Sequence, residues 1–161
     1  MKTQTRGRLL NRLQRARQRC PGMMPLGETL GFQVERLDAG SAVVVMETDE
    51  RHANVLGATH GGIPFVLADT AVGLAHLTLL ADREAGTTIE MKINFLRPVW
   101  KTKLRAEART IQHGRTWSLL ECAVFDEGGR LVAHALATLM RLTEEAAKDR
   151  ATVYEGRPQL P

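Results

Sequence analysis

Apolar and polar positions alternate along several stretches of the chain, which is the pattern of β-strands with one buried face. Other stretches are runs of β-branched and apolar residues, which also favour strands. Together they predict six strands, at residues 32–37, 42–47, 88–96, 103–109, 117–125 and 131–142. Turn-forming residues separate these segments. We expect the last four strands to form a consecutive meander whose middle turn is His113-Gly114-Arg115.

A long apolar segment interrupts the strands. Residues 63–81 contain only two ionisable side chains, Asp69 and His76. The segment is nearly long enough to span a membrane, but a carboxylate near its middle is costly in lipid. In a globular domain, a helix this apolar needs cover on most sides, and the surrounding strands can supply it. We therefore predict an α+β fold in which a curved antiparallel sheet wraps around one long central helix.

Asp69 is the candidate functional residue of this helix. A buried carboxylate is unfavourable unless it is hydrogen-bonded, paired or protonated, so it needs either a structural partner or a catalytic role. His76 follows seven residues later on the same helix face, about 10 Å along the axis, which is too far for direct contact. We expect His76 to be an interior histidine bonded to a carbonyl group, or to be exposed at the helix end.

The segment before the helix suggests a site for an oxygen that gains negative charge. Gly61 and Gly62 permit close approach to the backbone, and Pro64 suits the first turn of a helix. Free N–H groups at a helix N-terminus, together with the positive end of the helix dipole, stabilise such an oxygen. Asp69 follows about two turns into the helix. The combination of the two features marks the candidate site.

Composition and charge narrow the choice of function. The 161 residues are 43% hydrophobic and 25% charged, values typical of one globular domain. Only 4% are aromatic, too few for the stacking surfaces that bind single-stranded nucleic acid. The basic residues of the first nineteen positions have no acidic neighbours, so the net charge of +4 belongs to a leading arm.

The chain divides into three parts: a basic arm at 1–22 with a short amphipathic helix, one domain at 23–143, and a tail at 144–161. An Arg-rich, acid-poor arm is also compatible with a transit peptide. Cys20 and Cys122 have neither metal nor redox spacing, and we expect unpaired thiols in a reducing, cytoplasmic setting. The histidines and acidic residues show no metal-ligand spacing, so no metal site is predicted.

Three motifs, in order along the chain, resemble a known family. They are Asn54-x-x-Gly57-x-x-His60-Gly61-Gly62, Leu67-Ala68-Asp69-Thr70-Ala71 and Ile93-x-Phe95-Leu96-Arg97-Pro98. Over about residues 26–142 the chain resembles the hotdog-fold acyl-CoA thioesterases of the phenylacetate-degradation (PaaI-like) type. The resemblance implies the hotdog fold, to which the basic arm would add an extra N-terminal helix.

The resemblance also implies roles for individual residues. Asp69 corresponds to the family's catalytic carboxylate, acting as general base or nucleophile, and Gly61 to the glycine whose N–H polarises the thioester carbonyl. Thr88, or its neighbour Thr87, corresponds to a hydroxyl that helps to hold the water. Asn54 and His60 correspond to catalytic residues that shape the loop and bind near the thioester. The residues implied to bind the substrate are Gly62, Phe95, Arg97, His113, Gly114, Arg115 and Thr116.

The implied function is hydrolysis of an acyl-CoA thioester to a free acid and CoA, without a bound cofactor or metal. The implied partners are the acyl-CoA substrate and further copies of the chain, in a dimer or dimer of dimers that shares each site. We expect neither a membrane nor a nucleic acid as partner. A non-catalytic acyl-CoA-binding module or regulator on the same fold is the alternative, and a hydratase is third. The acyl group is not specified by the sequence.

Overall fold

The structure, a computed structural model, describes residues 24–81 and 84–142. Its elements, in chain order, are α1 (Pro25–Leu30), β1 (Phe32–Asp38), β2 (Ser41–Glu47), α2 (Gly62–Leu77), β3 (Ala85–Phe95), β4 (Lys103–His113), β5 (Trp117–Phe125) and β6 (Leu131–Leu142). A short 3-10 helix at Glu50–His52 precedes α2. The six predicted strands and the central helix are all present. The predicted helix of the basic arm and the tail lie outside the described residues.

The strands form one antiparallel sheet in the order β1-β2-β4-β5-β6-β3. The predicted meander is confirmed for β4, β5 and β6, but it is wrong for β3, which pairs with β6 and not with β4. Residues 96–102 join β3 to β4, and this connection is too long for a tight hairpin and contains Pro98. It runs across the end of the sheet, from a hydrogen bond with Val132 to one with Thr48. As a result β3 is an edge strand.

The core lies between α2 and the sheet. The helix contacts all six strands, and its sheet-facing residues recur every three or four positions, which places them on one side. Several are alanines, so the helix axis can approach the strands closely. The buried residues of this side of α2 are Leu67, Ala68, Ala71, Val72 and Ala75. Large strand residues such as Leu104, Leu120 and Leu139 pack in the same cluster, and burying each contributes roughly 1.5–3 kcal/mol.

The second side of α2 is open in the described residues. Phe65 and Leu77 are each 37% exposed, and Asp69 and Gly73 are partly exposed. The sheet therefore packs on one side of the helix and leaves the other side partly exposed. No helix in the described part of the chain is long and apolar enough to cross a bilayer.

A β-bulge in β3 changes which residues face the helix. Thr88 pairs with Leu139 and Glu90 pairs with Thr138, so Ile89 has no partner on β6. Before the bulge, the Cβ direction of Gly86 and the hydroxyl of Thr88 both point towards α2. After it, Met91 and Ile93 pack on the core. The extra residue shifts the alternation by one position, as bulges do.

Candidate active site

Asp69 lies where α2 faces the start of β3, at the border of the open side of the helix. Its Oδ1 accepts a hydrogen bond of 2.9 Å from the hydroxyl of Thr88. No other residue of the described ranges donates to this carboxylate. Asp69 is partly buried, not fully buried as the sequence indicated. The carboxylate is thus oriented by one donor while it remains accessible from the open side, which suits a group that must meet a substrate or water.

The bulge decides which threonine meets Asp69. Gly86 and Thr88 point towards the helix, so Thr87, which lies between them, points to the other face of the sheet. Of the two hydroxyls that the sequence offered, the structure places Thr88 beside the carboxylate. Because the Thr88 hydroxyl donates its hydrogen to Asp69, its oxygen lone pairs remain available to accept a hydrogen bond from water.

The start of α2 presents one unused backbone donor. The N–H of Gly62 donates to Nδ1 of His60 at 2.9 Å, and the N–H of Ile63 donates to the carbonyl of His60. Within the described chain, the N–H of Gly61 has no acceptor. A Cβ on Gly62 would lie 3.0 Å from Nδ1 of His60, so glycine allows this close cap. Because Nδ1 accepts a hydrogen bond, a neutral His60 carries its proton on Nε2.

Asn54 holds the loop that leads to this helix. Its Oδ1 accepts from the N–H of Leu56 at 2.8 Å, and its carbonyl accepts from the N–H of Gly57. Gly57 has a φ of 78°, a left-handed conformation that favours glycine. The Asn54 side chain therefore builds a turn. This agrees with the loop-shaping role that the resemblance implies, and it also explains the spacing from Asn54 to Gly57.

Asp69 and Gly61 are far apart within one subunit. Eight residues of helix separate them, or about 12 Å along the axis. A thioester whose carbonyl oxygen contacts the N–H of Gly61 therefore cannot bring its carbonyl carbon within reach of Asp69 in the same subunit. The carbon is also out of reach of a water bound beside Asp69. Phe95, at the far end of β3, packs near Gly61, with its ring 3.4 Å from the position of a Cβ there. The two halves of the candidate site thus lie at opposite ends of β3.

The predicted CoA-binding residues also divide into two groups. The N–H of Arg97 bonds to Val132, near the start of β6, and Thr116 accepts from the N–H of Arg141, near its end. Nine residues of strand separate these points, roughly 30 Å. The turn at 113–116 therefore lies near the end of α2, whereas Arg97 lies near its start. One subunit cannot place Arg97 and Arg115 on the same phosphate group.

His76 differs from what the sequence indicated. It is fully buried, but neither ring nitrogen has a hydrogen-bond partner in the structure. The ring lies 6.2 Å from that of His113 in an edge-on arrangement, and Nδ1 of His113 bonds to the hydroxyl of Ser118 at 2.9 Å. Burial lowers the pKa of His76 to about 4, and the electrostatic influence of the neighbouring His113 and Arg141 acts in the same direction. The ring is neutral at ordinary pH.

Two further observations concern nucleophiles and metals. Cys122 is buried in the core, and its burial raises the pKa of the thiol to about 12, so the thiol is a poor nucleophile. Among the described residues, no three histidine, cysteine or acidic side chains are grouped so as to hold a metal ion. Gly86, the glycine beside His76, was not among the residues predicted to matter, although a glycine inside a strand often indicates close approach of another group.

Known proteins resemble this chain in sequence. A family model described as the thioesterase superfamily matches residues 56–133, which include Gly61, Asp69 and Thr88. The proofreading thioesterase EntH of Klebsiella pneumoniae is 33% identical over 101 residues, which are 63% of this chain and 74% of that protein. The chain belongs to the thioesterase superfamily. The thioesterase and hotdog-fold predictions are thereby confirmed, and this thioesterase is a hydrolase of that family.

Solved structures place this thioesterase in the same fold. The E. coli PaaI protein from the phenylacetic acid degradation operon superposes with a TM-score of 0.75 at 26% identity, over 81% of this chain and 93% of that one. A Streptococcus pneumoniae thioesterase protein solved with coenzyme A superposes with a TM-score of 0.64 at 26% identity, over 70% of this chain and 86% of that one. The resemblance to PaaI-like proteins that the motifs indicated is confirmed.

Proposed function

We propose that this thioesterase hydrolyses an acyl-CoA to a free acid and CoA, with Asp69 as the catalytic carboxylate. The observation that carries the proposal is the bond from Thr88 to a partly buried Asp69 that faces open space. The coenzyme A in the Streptococcus pneumoniae neighbour supports CoA as the carrier of the acyl group. The described residues around Asp69 offer no serine or cysteine nucleophile, and the Thr88 hydroxyl is the donor that orients Asp69, so we assign the attack to the carboxylate or to a water that it activates.

The reaction follows from these groups. The thioester carbonyl oxygen accepts a hydrogen bond from the N–H of Gly61, and this bond stabilises the negative charge that develops on the oxygen. Water, held between Asp69 and Thr88, loses a proton to Asp69 and adds to the carbonyl carbon. The tetrahedral intermediate then expels the CoA thiolate, which takes up the proton. In the alternative route, Asp69 itself attacks, expels the thiolate and forms an anhydride that water hydrolyses.

The 12 Å between Gly61 and Asp69 means that the site needs a second subunit. β3 is an eleven-residue strand at the edge of the sheet, with one side unpaired in the described structure. If two copies pair antiparallel along this edge, the partner's Phe95 lies opposite the start of β3, and the partner's Gly61 approaches Thr88 and Asp69. Within one subunit, Thr88 and Phe95 are roughly 23 Å apart along the strand.

Two further features support such a dimer. Val55 and Leu56, at the tip of the turn built by Asn54, are almost completely exposed. Uncovered aliphatic side chains next to a site are typical of a surface that another chain covers. The same antiparallel pairing brings the partner's Arg97 to the end of the sheet that carries Arg115. Both arginines can then contact one CoA molecule, and we propose that they bind its phosphates.

The test is release of free thiol from aromatic and aliphatic acyl-CoA thioesters. The wild-type protein should hydrolyse at least one of them, and Asp69→Asn should lower kcat at least a hundredfold, since general-base catalysis is worth about 10² to 10⁴. Asn keeps the size of Asp and can accept from Thr88, so the fold and CoA binding should remain. Asp38→Asn is the matched control, because Asp38 is an exposed carboxylate at the end of β1.

The other outcomes have defined meanings. Retention of more than about a tenth of kcat in Asp69→Asn would show that this carboxylate is structural. Binding of acyl-CoA by the wild-type protein without thiol release would favour a non-catalytic binding module. Hydration of an enoyl-CoA without thiol release would favour a hydratase.

A further inference from the structure

His76 has a position that hydrogen bonds do not explain. It is fully buried on α2, and both of its ring nitrogens lack partners in the structure. Buried polar groups are normally hydrogen-bonded, because leaving them unpaired is unfavourable. Something other than hydrogen bonding must therefore hold the ring in this place.

The ring of His76 packs directly against the backbone of Gly86 in the edge strand β3. A Cβ added to Gly86 would lie 2.5 Å from Nδ1 and 2.9 Å from Cε1 of His76. No real Cβ tolerates the first distance. The φ of Gly86 is not in the left-handed region, so its conformation does not require glycine. The structure requires glycine at position 86 because the imidazole occupies the space of a side chain.

This contact lies next to the Asp69–Thr88 bond and joins the same two elements. His76 follows Asp69 by two turns on the same face of α2, and Gly86 precedes Thr88 by two positions on the same face of β3. The bulge at Ile89 follows immediately. The contact of His76 with Gly86 and the bond of Thr88 to Asp69 are therefore about two residues apart on β3 and about two turns apart on α2.

We infer that His76 is a positioning residue: its ring, seated against Gly86, sets the separation of α2 and β3 at which Thr88 donates to Asp69. The inference rests on the proposed function, since it concerns the geometry of the proposed catalytic carboxylate. The ring acts as a spacer, so its shape matters and its nitrogens do not. A gap that is wider by a few tenths of an ångström weakens the Thr88 bond and moves the water site.

The first experiment uses Gly86→Ala, with kcat and KM measured on the best acyl-CoA substrate. We expect kcat to fall about tenfold or more while KM stays within about threefold, because the change affects the reacting groups and not CoA binding. Combining it with His76→Ala should restore at least half of the loss on a logarithmic scale, since the new methyl group then meets no ring. Gly128→Ala, in the turn between β5 and β6, is the matched control and should leave kcat unchanged.

The second experiment separates the spacer from imidazole chemistry. His76→Gln has nearly the volume of histidine, and we expect it to keep kcat within about threefold, whereas His76→Ala alone should lose more. The loss of kcat caused by Gly86→Ala should largely vanish in a Thr88→Val background, because the contact of His76 with Gly86 affects kcat through the bond of Thr88 to Asp69. Circular dichroism and light scattering confirm that each variant keeps its fold and assembly.

Each contrary result overturns the inference. These results are an unchanged kcat in Gly86→Ala, additive losses in the double variant, or His76→Gln as impaired as His76→Ala. If Gly86→Ala does not fold, the His76→Gln and His76→Ala pair still decides. A wild-type protein that releases no thiol from any thioester would refute the proposed function instead. The coupling of Gly86 and His76 in denaturant unfolding would then test the contact itself.

Discussion

At the scale of single residues, the candidate site depends on which of two adjacent threonines faces the helix. Thr88 donates to Asp69 at 2.9 Å, and Thr87 faces the other side of the sheet. The two side chains are identical and differ only in the face on which the strand places them. They therefore form a natural pair of test and control.

We predict that Thr88→Val lowers kcat between about tenfold and a hundredfold. Hydrogen bonds to charged groups contribute roughly 1.5–3 kcal/mol, and each 1.4 kcal/mol is a factor of ten in rate. Thr88→Ser keeps the hydroxyl and should retain most activity. Thr87→Val should change kcat by less than about twofold. Equal losses in Thr87→Val and Thr88→Val, measured by thiol release, would contradict this assignment.

The sequence predicted the residue types of the site better than their orientation. Asp69 in an apolar helix and the glycines at its start were recognisable from the sequence. The alternation of residues 88–95, however, places Thr88 on the polar face with Glu90 and places Ile89 on the core face. The bulge reverses both, and Ile89 is 56% exposed. A bulge depends on pairing with β6, a contact distant in sequence, so local alternation cannot reveal it.

At the scale of elements, the packing of α2 on β3 determines the geometry of the site. The apolar pattern predicted the helix and its buried side, since that pattern is local to the segment. It did not predict that β3 would leave β4 and pair with β6. That choice depends on the connection at 96–102 and on the space beside β6, which only the assembled sheet defines. His76 is a titratable side chain of α2 that is buried in this packing, against Gly86 of β3.

We predict that the protein loses stability through His76 as the pH falls. The pKa of His76 is about 4 in the folded protein and 6.5 for an ordinary histidine. Between these values the unfolded chain binds a proton that the folded protein does not, so the stability present above pH 6.5 is lost towards pH 4. The groups facing the ring are His113 of β4 and Arg141 of β6, which forms an ion pair with Glu84.

The check is urea unfolding at two pH values. Between pH 7.5 and 4.5 we expect the wild-type protein to lose about 2 to 3 kcal/mol more than His76→Gln. Other titrating groups contribute equally to both proteins and cancel in the comparison. The same pH dependence in the two proteins would contradict the prediction, because it would show that His76 binds a proton equally well in the folded and the unfolded protein.

At the scale of the whole molecule, the proposed site is divided between two copies of the chain. The carboxylate and the free N–H of Gly61 lie about two helical turns apart in one subunit, about 12 Å. The edge strand β3 joins the two ends. Our proposal of a second copy rests on this distance, which helix spacing predicts from the sequence, and on the edge position of β3, which required the structure.

We predict that two inactive variants restore activity when mixed. Asp69→Asn lacks the carboxylate, and Gly61→Pro lacks the N–H; the φ of −58° at Gly61 suits proline. In a mixed dimer, one of the two sites combines the intact Asp69 with the intact Gly61. After subunit exchange at equal amounts, random pairing gives about a quarter of the wild-type rate. Light scattering at micromolar concentration should show at least a dimer.

A fully active monomer, or a mixture without recovered activity, would place the complete site in one chain. Each variant alone provides the baseline. A mixture of Asp69→Asn with Asp69→Asn carrying Asp38→Asn is the negative control, because no pairing of these chains restores a carboxylate at position 69.

The unpaired Ile89 has a consequence for how this strand can change in length. On one side of it the chain must present Gly86 and Thr88 to the helix, and on the other side Met91 and Ile93. Deleting Ile89 alone would remove the bulge and restore regular alternation, with Gly86, Thr88, Met91 and Ile93 still on the helix face. Deleting Thr87 or Lys92 would instead put the two members of one pair on opposite faces of the sheet. We therefore expect a one-residue deletion in β3 to preserve which side chains face the helix at the bulge, and to disrupt it on either side of the bulge.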